Sequence, residues 1–331
     1  MWSVGSRPSD SFAVTSPPEL GPPARVGTID LDEFTERLHA GRLALRVGPF
    51  DVRISARAKA LLPHLYTLYA DHPLLDLDRV FSCHLGLTER WRVRPRPGRY
   101  VRFLVDGIAP HEDMPGAHGL AVLEWGLNLV IALRSHSYLM LHAAVVERGG
   151  YALALPAAPA CGKTTLCAAL AHRGWRLLSD EFGLVVPGTR EFIPLPRPMP
   201  LKNASIDVIR QYAPHALIGP QIEGTRKGTV AHVKPPAESV LRQHETAEAR
   251  WLIFPKWQRD AGLELREVPR IDGFVQVATN AFNYEIQGAA GFETVRDLVA
   301  SCGCYRLTYS SLHEAVDVLT TLADEELARA S

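Results

Sequence analysis

The sequence predicts an α/β protein, and residues 141–181 carry most of that prediction. Two apolar runs, 141–146 and 151–155, have the length and composition of buried strands. A loop and a helical pattern at 166–170 follow, and the apolar pair 177–178 is typical of a further strand. Strands and helices that alternate in this way form a central sheet with its loops at the carboxyl ends of the strands.

The N-terminal part predicts a smaller mixed α+β domain at 29–118, preceded by a disordered lead-in at 1–28 that is rich in Ser, Pro and Gly. An acidic first turn at 30–33 begins a short helix, which ends before Gly41. Two hairpins follow, with strands predicted at 43–47 and 50–54 and at 90–94 and 100–105.

The second hairpin is rich in arginine, which has two interpretations. Alternation at period two places these residues on one strand face, so they form either an anion- or peptide-binding surface or an ordinary solvated face. The residues are Arg90, Arg92, Arg94, Arg96, Arg99 and Arg102.

The apolar stretch 120–133 predicts a buried helix rather than a membrane span, because Glu124 and Asn128 interrupt it and it is too short. No basic region followed by an apolar stretch begins the chain, so no signal peptide is expected. The 36 basic and 36 acidic residues balance, which gives no overall field for nucleic acid or an anionic membrane. The five cysteines lack a metal-binding or disulfide spacing, and we expect a cytoplasmic protein without nucleic-acid or membrane partners.

The loop after the second strand contains Gly162, Lys163 and Thr164, a triplet with a physical role. Backbone N–H groups at a helix N-terminus bind phosphate oxygens, a lysine ammonium neutralises the β- and γ-phosphates, and a threonine hydroxyl coordinates Mg²⁺. We therefore predict ATP and Mg²⁺ as cofactors and Thr164 as a metal ligand. The predicted nucleotide-binding residues are Ala157, Ala158, Pro159, Ala160, Cys161, Gly162, Lys163, Thr164 and Thr165.

This loop departs from the common glycine-rich pattern. Ala157 stands at the position of the first glycine, and Pro159 and Ala160 stiffen the middle. An alanine held at positive φ costs about 1 kcal/mol or more, which weakens nucleotide binding. The sequence therefore leaves a second hypothesis open, a degenerate nucleotide-binding module that regulates a partner without catalysis.

An acidic pair, Asp180 and Glu181, follows the strand after the helix. Phosphoryl transfer needs a carboxylate for the metal and one for the attacking hydroxyl, and this pair supplies both. Acidic residues after a strand also cap the next turn, so a purely structural role is the alternative.

The remaining chain predicts further elements of one α/β domain at 119–331 and contains no internal repeat. The mixture of apolar runs and helical patterns supports this class. Strands are predicted at 184–186, 251–254 and 305–309, and helices at 204–212, 271–278, 292–301 and 312–323.

The spacing of these motifs resembles the catalytic domain of the HPr kinase/phosphorylase family. In that family a Val-His-Gly strand precedes a Gly-Asp-Ser-Gly-x-Gly-Lys-Ser loop, a helix that ends Lys-Arg-Gly-His-Arg-Leu, and a strand that ends in two acidic residues. Here the segments 141–143, 162–164, 172–177 and 180–181 occupy the same relative positions without a gap. Further segments are similar to the bacterial subgroup called HPr-kinase-related kinase A, namely 196–198, 201–203, 224–229 and 280–284.

The resemblance implies a P-loop-containing, HPr-kinase/PEP-carboxykinase-like catalytic domain and an ATP-dependent kinase. It implies that Asp180 is the base for the acceptor hydroxyl and that Glu181 holds the metal together with Thr164. It also implies that His142 supports Asp180 as a hydrogen-bond partner. The predicted catalytic residues are thus Asp180, His142 and Lys163, and the reverse assignment of the two carboxylates stays open.

Basic residues in loop segments are predicted to contact the substrate, because phosphoryl transfer needs cations around the developing charge. The alternative is a solvated charge cluster. These residues are Arg197, Lys202, Arg226 and Lys227, while Asn280, Asn283 and Tyr284 either line the substrate site or form a helix-end hydrogen-bond set. The expected phosphoacceptor is an unidentified protein, peptide or small molecule, and self-association into a homo-oligomer stays open.

Overall fold

The computed structural model describes residues 24–58, 61–93, 97–158 and 161–330 of the chain. These residues form a mixed α/β fold with three β-sheets. The strands are β1 (Leu43–Val47), β2 (Phe50–Ala56), β3 (Cys83–Arg92), β4 (Gly98–Val105), β5 (Met114–Pro115), β6 (Leu139–Arg148), β7 (Tyr151–Pro156), β8 (Arg176–Ser179), β9 (Phe182–Val185), β10 (Glu191–Ile193), β11 (Met199–Lys202), β12 (Ile222–Thr225), β13 (Gly228–Val233), β14 (Ala247–Trp257), β15 (Glu264–Glu267) and β16 (Gly303–Tyr309). The helices are α1 (Leu31–His39), α2 (Leu62–Leu68), α3 (Gly119–Arg134), α4 (Lys163–Ala171), α5 (Ala204–Tyr212), α6 (Ala237–Leu241), α7 (Arg270–Thr279), α8 (Tyr284–Ser301) and α9 (Leu312–Ala330).

The first sheet has the strand order β1-β2-β3-β4-β5. β1 and β2 pair antiparallel with Val47 opposite Phe50, and β3 and β4 pair antiparallel with Arg90 opposite Tyr100. Both predicted hairpins are therefore confirmed. β3 begins earlier than predicted, because its first half, 83–87, is a mostly buried parallel partner of β2 without polar alternation.

One carboxylate neutralises two arginines of the second hairpin. Arg102 donates to both oxygens of Asp113 at 2.6 and 3.2 Å, and Arg92 lies 4.0 Å from the same carboxylate. Because the Asp113 side chain is only 4 % exposed, this pairing gives these arginines a structural use. Of the other four, Arg90 and Arg99 are exposed, while Arg94 and Arg96 lie outside the described residues.

The predicted lead-in at 1–28 is too long at its carboxyl end. Val26 is fully buried, and the N–H of Gly27 donates to the carbonyl of Ala70 at 2.7 Å. This part of the chain is fixed because it packs beside the five-stranded sheet. Residues 1–23 lie outside the described residues, so the lead-in stays a prediction there.

Helices α1 and α3 pack on the five-stranded sheet, and both predicted helices are confirmed. Asp30 caps α1 by accepting a hydrogen bond from the N–H of Glu33 at 2.8 Å. α3 comes so close to the sheet that a Cβ at Gly126 would lie 2.1 Å from a ring carbon of Phe103. α3 therefore shares one core with the sheet, and the domain boundary at residue 118 stays a prediction.

One stretch of the described chain, 116–134, has the length and composition of a membrane-crossing helix, and 61 % of its examined window is buried within the protein.

The second sheet has eight strands and is arranged around β6. Its order is β10-β9-β6-β7-β14-β16-β15, and β8 also pairs with β6. β7 and β8 both run antiparallel to β6, and β14 and β16 run parallel to β7. The carboxyl ends of β7, β8, β14 and β16 therefore meet at one edge. One face of this sheet packs against α4, α5 and α9, and the other packs against α7 and α8.

Most predicted elements after residue 180 are confirmed. The helix predicted at 204–212 is α5, and the strands predicted at 251–254 and 305–309 lie within β14 and β16. α8 begins earlier than predicted and is kinked at Gly288, where φ is 56°. The sequence pattern missed the small sheet β11-β13-β12, because its strands are short and the buried and exposed residues of β12 and β13 do not alternate.

Candidate functional site

The loop between β7 and α4 lies at the carboxyl edge of the eight-stranded sheet. Gly162 precedes α4 in the left-handed conformation, with φ 86°, and a Cβ there would lie 2.8 Å from the hydroxyl oxygen of Tyr309. Glycine is therefore required at this position for two reasons. α4 begins at Lys163, and the N–H groups of its first turn have no partner within the helix. Pro159 and Ala160 lie outside the described residues.

Ala157 does not carry the backbone strain that the sequence suggested. In the described chain, positive φ outside glycine occurs at Asp106, Asn203 and Asp260, and Ala157 is not among them. Its N–H donates to the carbonyl of His142 at 3.4 Å, which extends the β6–β7 ladder. The alanine therefore costs no backbone energy, but its N–H is not free to bind phosphate.

Lys163 and Asp180 are buried and line the same cleft. The Nζ atom of Lys163 and the Oδ1 atom of Asp180 have no hydrogen-bond partner among the described residues. Such atoms are rare in folded proteins, because each unpaired buried polar atom costs about 1–3 kcal/mol. Eleven such atoms occur among the described residues, and these two belong to side chains that line this cleft, which indicates that the cleft binds a ligand.

Burial changes the acidity of both groups. It raises the pKa of Asp180 to about 6, although the nearby Lys163 ammonium opposes the change. It lowers the pKa of Lys163, and the carboxylates of Asp180 and Glu181 oppose that change. A carboxyl group with a pKa near neutrality is suited to accept a proton from an acceptor hydroxyl.

Thr164, Asp180 and Glu181 supply the oxygen atoms for a metal ion. Oε2 of Glu181 accepts from Nδ2 of Asn128 at 2.8 Å, and the Thr164 hydroxyl is near enough to Asp180 to act toward lowering the pKa of that carboxyl. Among the described residues, no group of three or more His, Cys, Asp and Glu side chains is arranged to hold a metal. Mg²⁺ fits nevertheless, because it takes only one or two carboxylates when phosphates and water supply the other ligands.

Two observations bear differently on the roles of the two carboxylates. In phosphate-loop enzymes the loop threonine and an aspartate commonly hold Mg²⁺ together, so the contact of Thr164 with Asp180 favours Asp180 as the metal ligand. The raised pKa of Asp180 favours it as the base. The geometry keeps both assignments open.

His142 lines the cleft at the start of β6. Its ring centre lies 5.3 Å from that of Phe282, and its N–H donates to the carbonyl of Asn280 at 2.6 Å. Burial lowers its pKa to about 4, and the Lys163 ammonium acts in the same direction, so the ring is neutral at pH 7. Within the described residues no hydrogen bond joins the ring to Asp180.

Two of the four predicted substrate-binding residues do not line the cleft. Arg226 is exposed on the turn between β12 and β13, and Arg197 is buried behind Glu181. Lys202 and Lys227 do line it, and the cleft has a volume of about 680 Å³. Its lining residues are His142, Ala158, Gly162, Lys163, Thr164, Thr165, Asp180, Glu181, Pro200, Lys202, Asn203, Ser205, Lys227 and Phe282.

Asn203 fixes the two segments that carry the cleft lysines. Its φ of 52° is unusual for a residue with a side chain. Its N–H donates to the carbonyl of Thr229 at 2.9 Å, and its Oδ1 accepts from the N–H of Thr229 at 3.1 Å. A Cβ at Gly228 would lie 2.3 Å from that Oδ1, so glycine is needed there. Lys202 and Lys227, each next to one of these residues, are therefore held close together.

Two exposed aromatic residues near the cleft were not predicted. Phe282 lines the cleft and is 52 % exposed. Trp257, at the carboxyl end of β14, is 48 % exposed, and its N–H donates to the carbonyl of Cys161 at 3.2 Å. A single aromatic residue at a strand end has no sequence signal that separates it from a core residue.

The asparagines after α7 form hydrogen bonds at the helix end, which was the second of the two alternatives that the sequence left open. Oδ1 of Asn283 accepts from the N–H of Met140 at 2.9 Å, and Nδ2 of Asn280 donates to the carbonyl of Gln276 at 2.8 Å. Tyr284 packs against the core beneath α8. None of the three lines the cleft.

A scan against models of protein families finds no match to this chain, and no curated protein matches it either. The functional assignment therefore rests on the residues of the cleft.

Proposed function

We propose that the protein is an ATP-dependent, Mg²⁺-requiring kinase that transfers the γ-phosphate to an acceptor hydroxyl. One observation carries the proposal: Nζ of Lys163 and Oδ1 of Asp180 are buried in one cleft, beside the first turn of α4, and neither has a hydrogen-bond partner in the part of the chain that the structure describes. A phosphate oxygen satisfies the lysine, and a metal ion or an acceptor hydroxyl satisfies the carboxylate. The proposal includes a P-loop-containing, HPr-kinase/PEP-carboxykinase-like catalytic domain at 119–331 and a smaller domain at 29–118.

Each of the cleft residues at the carboxyl edge of the eight-stranded sheet has a role in the transfer. The acceptor oxygen attacks the γ-phosphorus, the bond to the bridging oxygen of the leaving ADP breaks, and the hydroxyl proton passes to Asp180. Lys163 and the first-turn N–H groups of α4 bind the β- and γ-phosphates. Thr164 and Glu181 would hold Mg²⁺, which offsets negative charge on the phosphates when it is bound.

The remaining cations of the cleft act on the transferred group. Lys202 and Lys227 supply positive charge around the phosphoryl oxygens, and such preorganised charge stabilises the transition state. Lys163, Lys202 and Lys227 all act to lower the pKa of His142. The neutral imidazole can therefore contact a bound substrate without adding another positive charge.

The second candidate is a nucleotide-binding module that regulates a partner without catalysis. The observation in its favour is that the N–H of Ala157 is used by the β6–β7 ladder, which leaves one fewer donor for phosphate. Oδ1 of Asp180, which has no hydrogen-bond partner within the described ranges, opposes it, because nucleotide binding alone does not need a buried base.

The acceptor is a serine of a protein or peptide or the hydroxyl of a small molecule, and the proposed compartment is the cytoplasm. The test is incubation of the purified protein with γ-labelled ATP, Mg²⁺ and an extract of its own cells. Transfer of label to any species supports the kinase, and the Lys163→Ala variant is expected to lose at least about 10³-fold in rate.

Arg226→Ala is the matched control, because it removes a nearby cation that does not line the cleft. Nucleotide binding without transfer, in both the wild type and the control, would favour the regulatory module. A wild-type protein that binds no nucleotide contradicts both candidates.

A further inference from the structure

A buried polar network lies directly behind Glu181. Nδ2 of Asn128 donates to Oε2 of Glu181 at 2.8 Å, and the guanidinium of Arg197 donates to Oδ1 of Asn128. Arg197 forms an ion pair with Glu124, with 3.7 Å between nitrogen and oxygen, and Glu124 accepts from the Tyr69 hydroxyl at 2.6 Å. The network therefore connects the acidic pair to α3 and to the residue that follows α2.

The chemistry of Arg197 fixes the orientation of the Asn128 amide. Arginine has only donors, so it binds the amide oxygen and leaves the amide NH₂ to Glu181. A flipped amide would place donors against donors and acceptors against acceptors. Glu124 and Asn128 are four residues apart on α3 and therefore lie on one helix face, where both meet Arg197.

Burial gives this network its rigidity. The side chains of Arg197 and Glu124 are 9 % and 4 % exposed. Burial raises the pKa of Glu124, while Arg197 and the hydrogen bond from Tyr69 oppose the change. Burial lowers the pKa of His72 to about 4 and of His232 to about 3, so these two neighbours are neutral and Arg197 supplies the positive charge next to Glu124.

We propose that Asn128 is a positioning residue that holds Glu181 in its metal-binding orientation, and that Arg197, anchored by Glu124, holds Asn128 in turn. The proposal rests on the proposed function, because it takes Glu181 as a metal ligand. Asn128 uses Oε2 of Glu181, and no hydrogen bond to Oε1 is formed among the residues that the structure describes, which leaves Oε1 for the metal. Arg197 thereby acts through Asn128 and Glu181 rather than on the substrate. The N-terminal sheet becomes part of the support of the site, through α3 and Tyr69.

The experiment measures nucleotide affinity by calorimetry with Mg²⁺ and with a chelator, in wild type and variants. Asn128→Leu keeps the volume and removes the donor, and we expect the gain in affinity from Mg²⁺ to fall about 10- to 100-fold, as is usual when a partner of a metal ligand is lost. The affinity without Mg²⁺ should stay at the wild-type value. Arg197→Lys retains a charge and a donor, so its gain in affinity from Mg²⁺ should lie between those of the wild type and Asn128→Leu.

Arg134→Leu is the control, because it lies on the same helix and removes a half-exposed ion pair with Asp106. An unchanged Mg²⁺ effect in a folded Asn128→Leu protein overturns the positioning role. If that variant does not fold, Asn128→Asp keeps the shape and sets a carboxylate against Glu181, and the same criterion applies to it. A wild type that binds no nucleotide overturns the proposed function instead.

Crystal structures of wild type and variant then decide the positioning role, and an unchanged Glu181 orientation overturns it.

Discussion

Buried charges lie at both ends of β8, and the two ends differ in how those charges are satisfied. At the end away from the loop, Arg176 and Glu147 form an ion pair whose side chains are each 4 % exposed. Arg176 also donates to the carbonyls of Arg242 and Glu245 at 3.1 and 2.9 Å. Glu147 accepts a second hydrogen bond, from the N–H of Gly150 at 2.6 Å. Both carboxylate oxygens of Glu147 and the Nε and Nη1 atoms of Arg176 therefore have protein partners.

At the loop end, the charges are buried to a similar degree but are incompletely paired. Lys163 and Asp180 are each 8 % exposed, and each keeps one buried atom without a partner among the described residues. A buried ion pair is a structural feature when its geometry is complete. The proposed function has a ligand complete the hydrogen bonds at the incomplete end, and this difference separates the candidate site from a structural pair of the same depth.

The largest expected effect on stability is at the complete end. Arg176→Leu leaves Glu147 as an uncompensated buried charge, and the free energy of unfolding should fall by about 3–5 kcal/mol. Lys163→Ala should lower it less, because Nζ makes no hydrogen bond among the described residues and Asp180, whose pKa burial already raises to about 6, can take up a proton once the ammonium is removed. Urea denaturation of the two variants measures both values.

The double variant Arg176→Leu with Glu147→Leu sharpens this test. Replacing both partners of a buried pair by apolar residues removes the unpaired charge, so the double variant should regain most of the lost stability. A Lys163→Ala protein that is destabilised as strongly as Arg176→Leu would show that the two ends are equivalent, and the comparison would be wrong.

The sequence predicted the residues of the loop end better than the contacts that surround them. Gly162, Lys163 and Asp180 belong to one local motif, through the backbone of the glycine and the charges of the other two, so their spacing in the sequence predicted that they lie together. Asn128 and Arg197 are 69 residues apart in sequence and meet only through the packing of α3 on the sheet. Local pattern carries no information about such a contact, which is why Arg197 was predicted to bind substrate.

Local sequence pattern was limited in the same way for helices and strands. α5 was predicted at its observed bounds because a helix of nine residues shows its own periodicity. The small sheet β11-β13-β12 was missed because its strands are defined by their pairing, which the local pattern does not record. Backbone conformation was also out of reach, since the negative φ of Ala157 and the positive φ of Asn203 depend on tertiary hydrogen bonds.

A second prediction concerns the pH dependence of stability. The carboxyl group of Asp180 has an ordinary pKa of 3.8 and a native pKa of about 6, so the native protein binds a proton that the unfolded chain has released. The charged group therefore destabilises the native state fully above pH 6, and the effect fades as the pH falls toward 3.8. Asp180→Asn should raise the free energy of unfolding at pH 8 by about 2 kcal/mol while lowering the transfer rate.

Asp113→Asn is a control with the opposite sign. The Arg102 guanidinium holds the pKa of Asp113 below its usual value, so the charged form is the stabilising one. This variant should lose stability at pH 8 and approach the wild type in acid. Equal or lower stability of Asp180→Asn at pH 8 would show that the Asp180 carboxylate is well paired, as Glu147 is.

The smallest expected effect compares two tryptophans, one at each end of the sheet. Trp175 is 2 % exposed, and its Nε1 donates to the Thr320 hydroxyl at 3.2 Å, whereas Trp257 is 48 % exposed beside Cys161 of the loop. An exposed indole next to the residues proposed to bind phosphate offers a flat surface for a nucleobase. We expect Trp257→Ala to weaken ATP binding by about 1 kcal/mol, or fivefold, with the melting temperature unchanged. Trp175→Ala should instead lower the melting temperature, because it empties a core position.

Titration with inorganic triphosphate is the control for the nucleobase. This ligand lacks the base, so the Trp257→Ala variant should bind it as tightly as the wild type does. An equal loss of affinity for ATP and for triphosphate would place the nucleobase elsewhere.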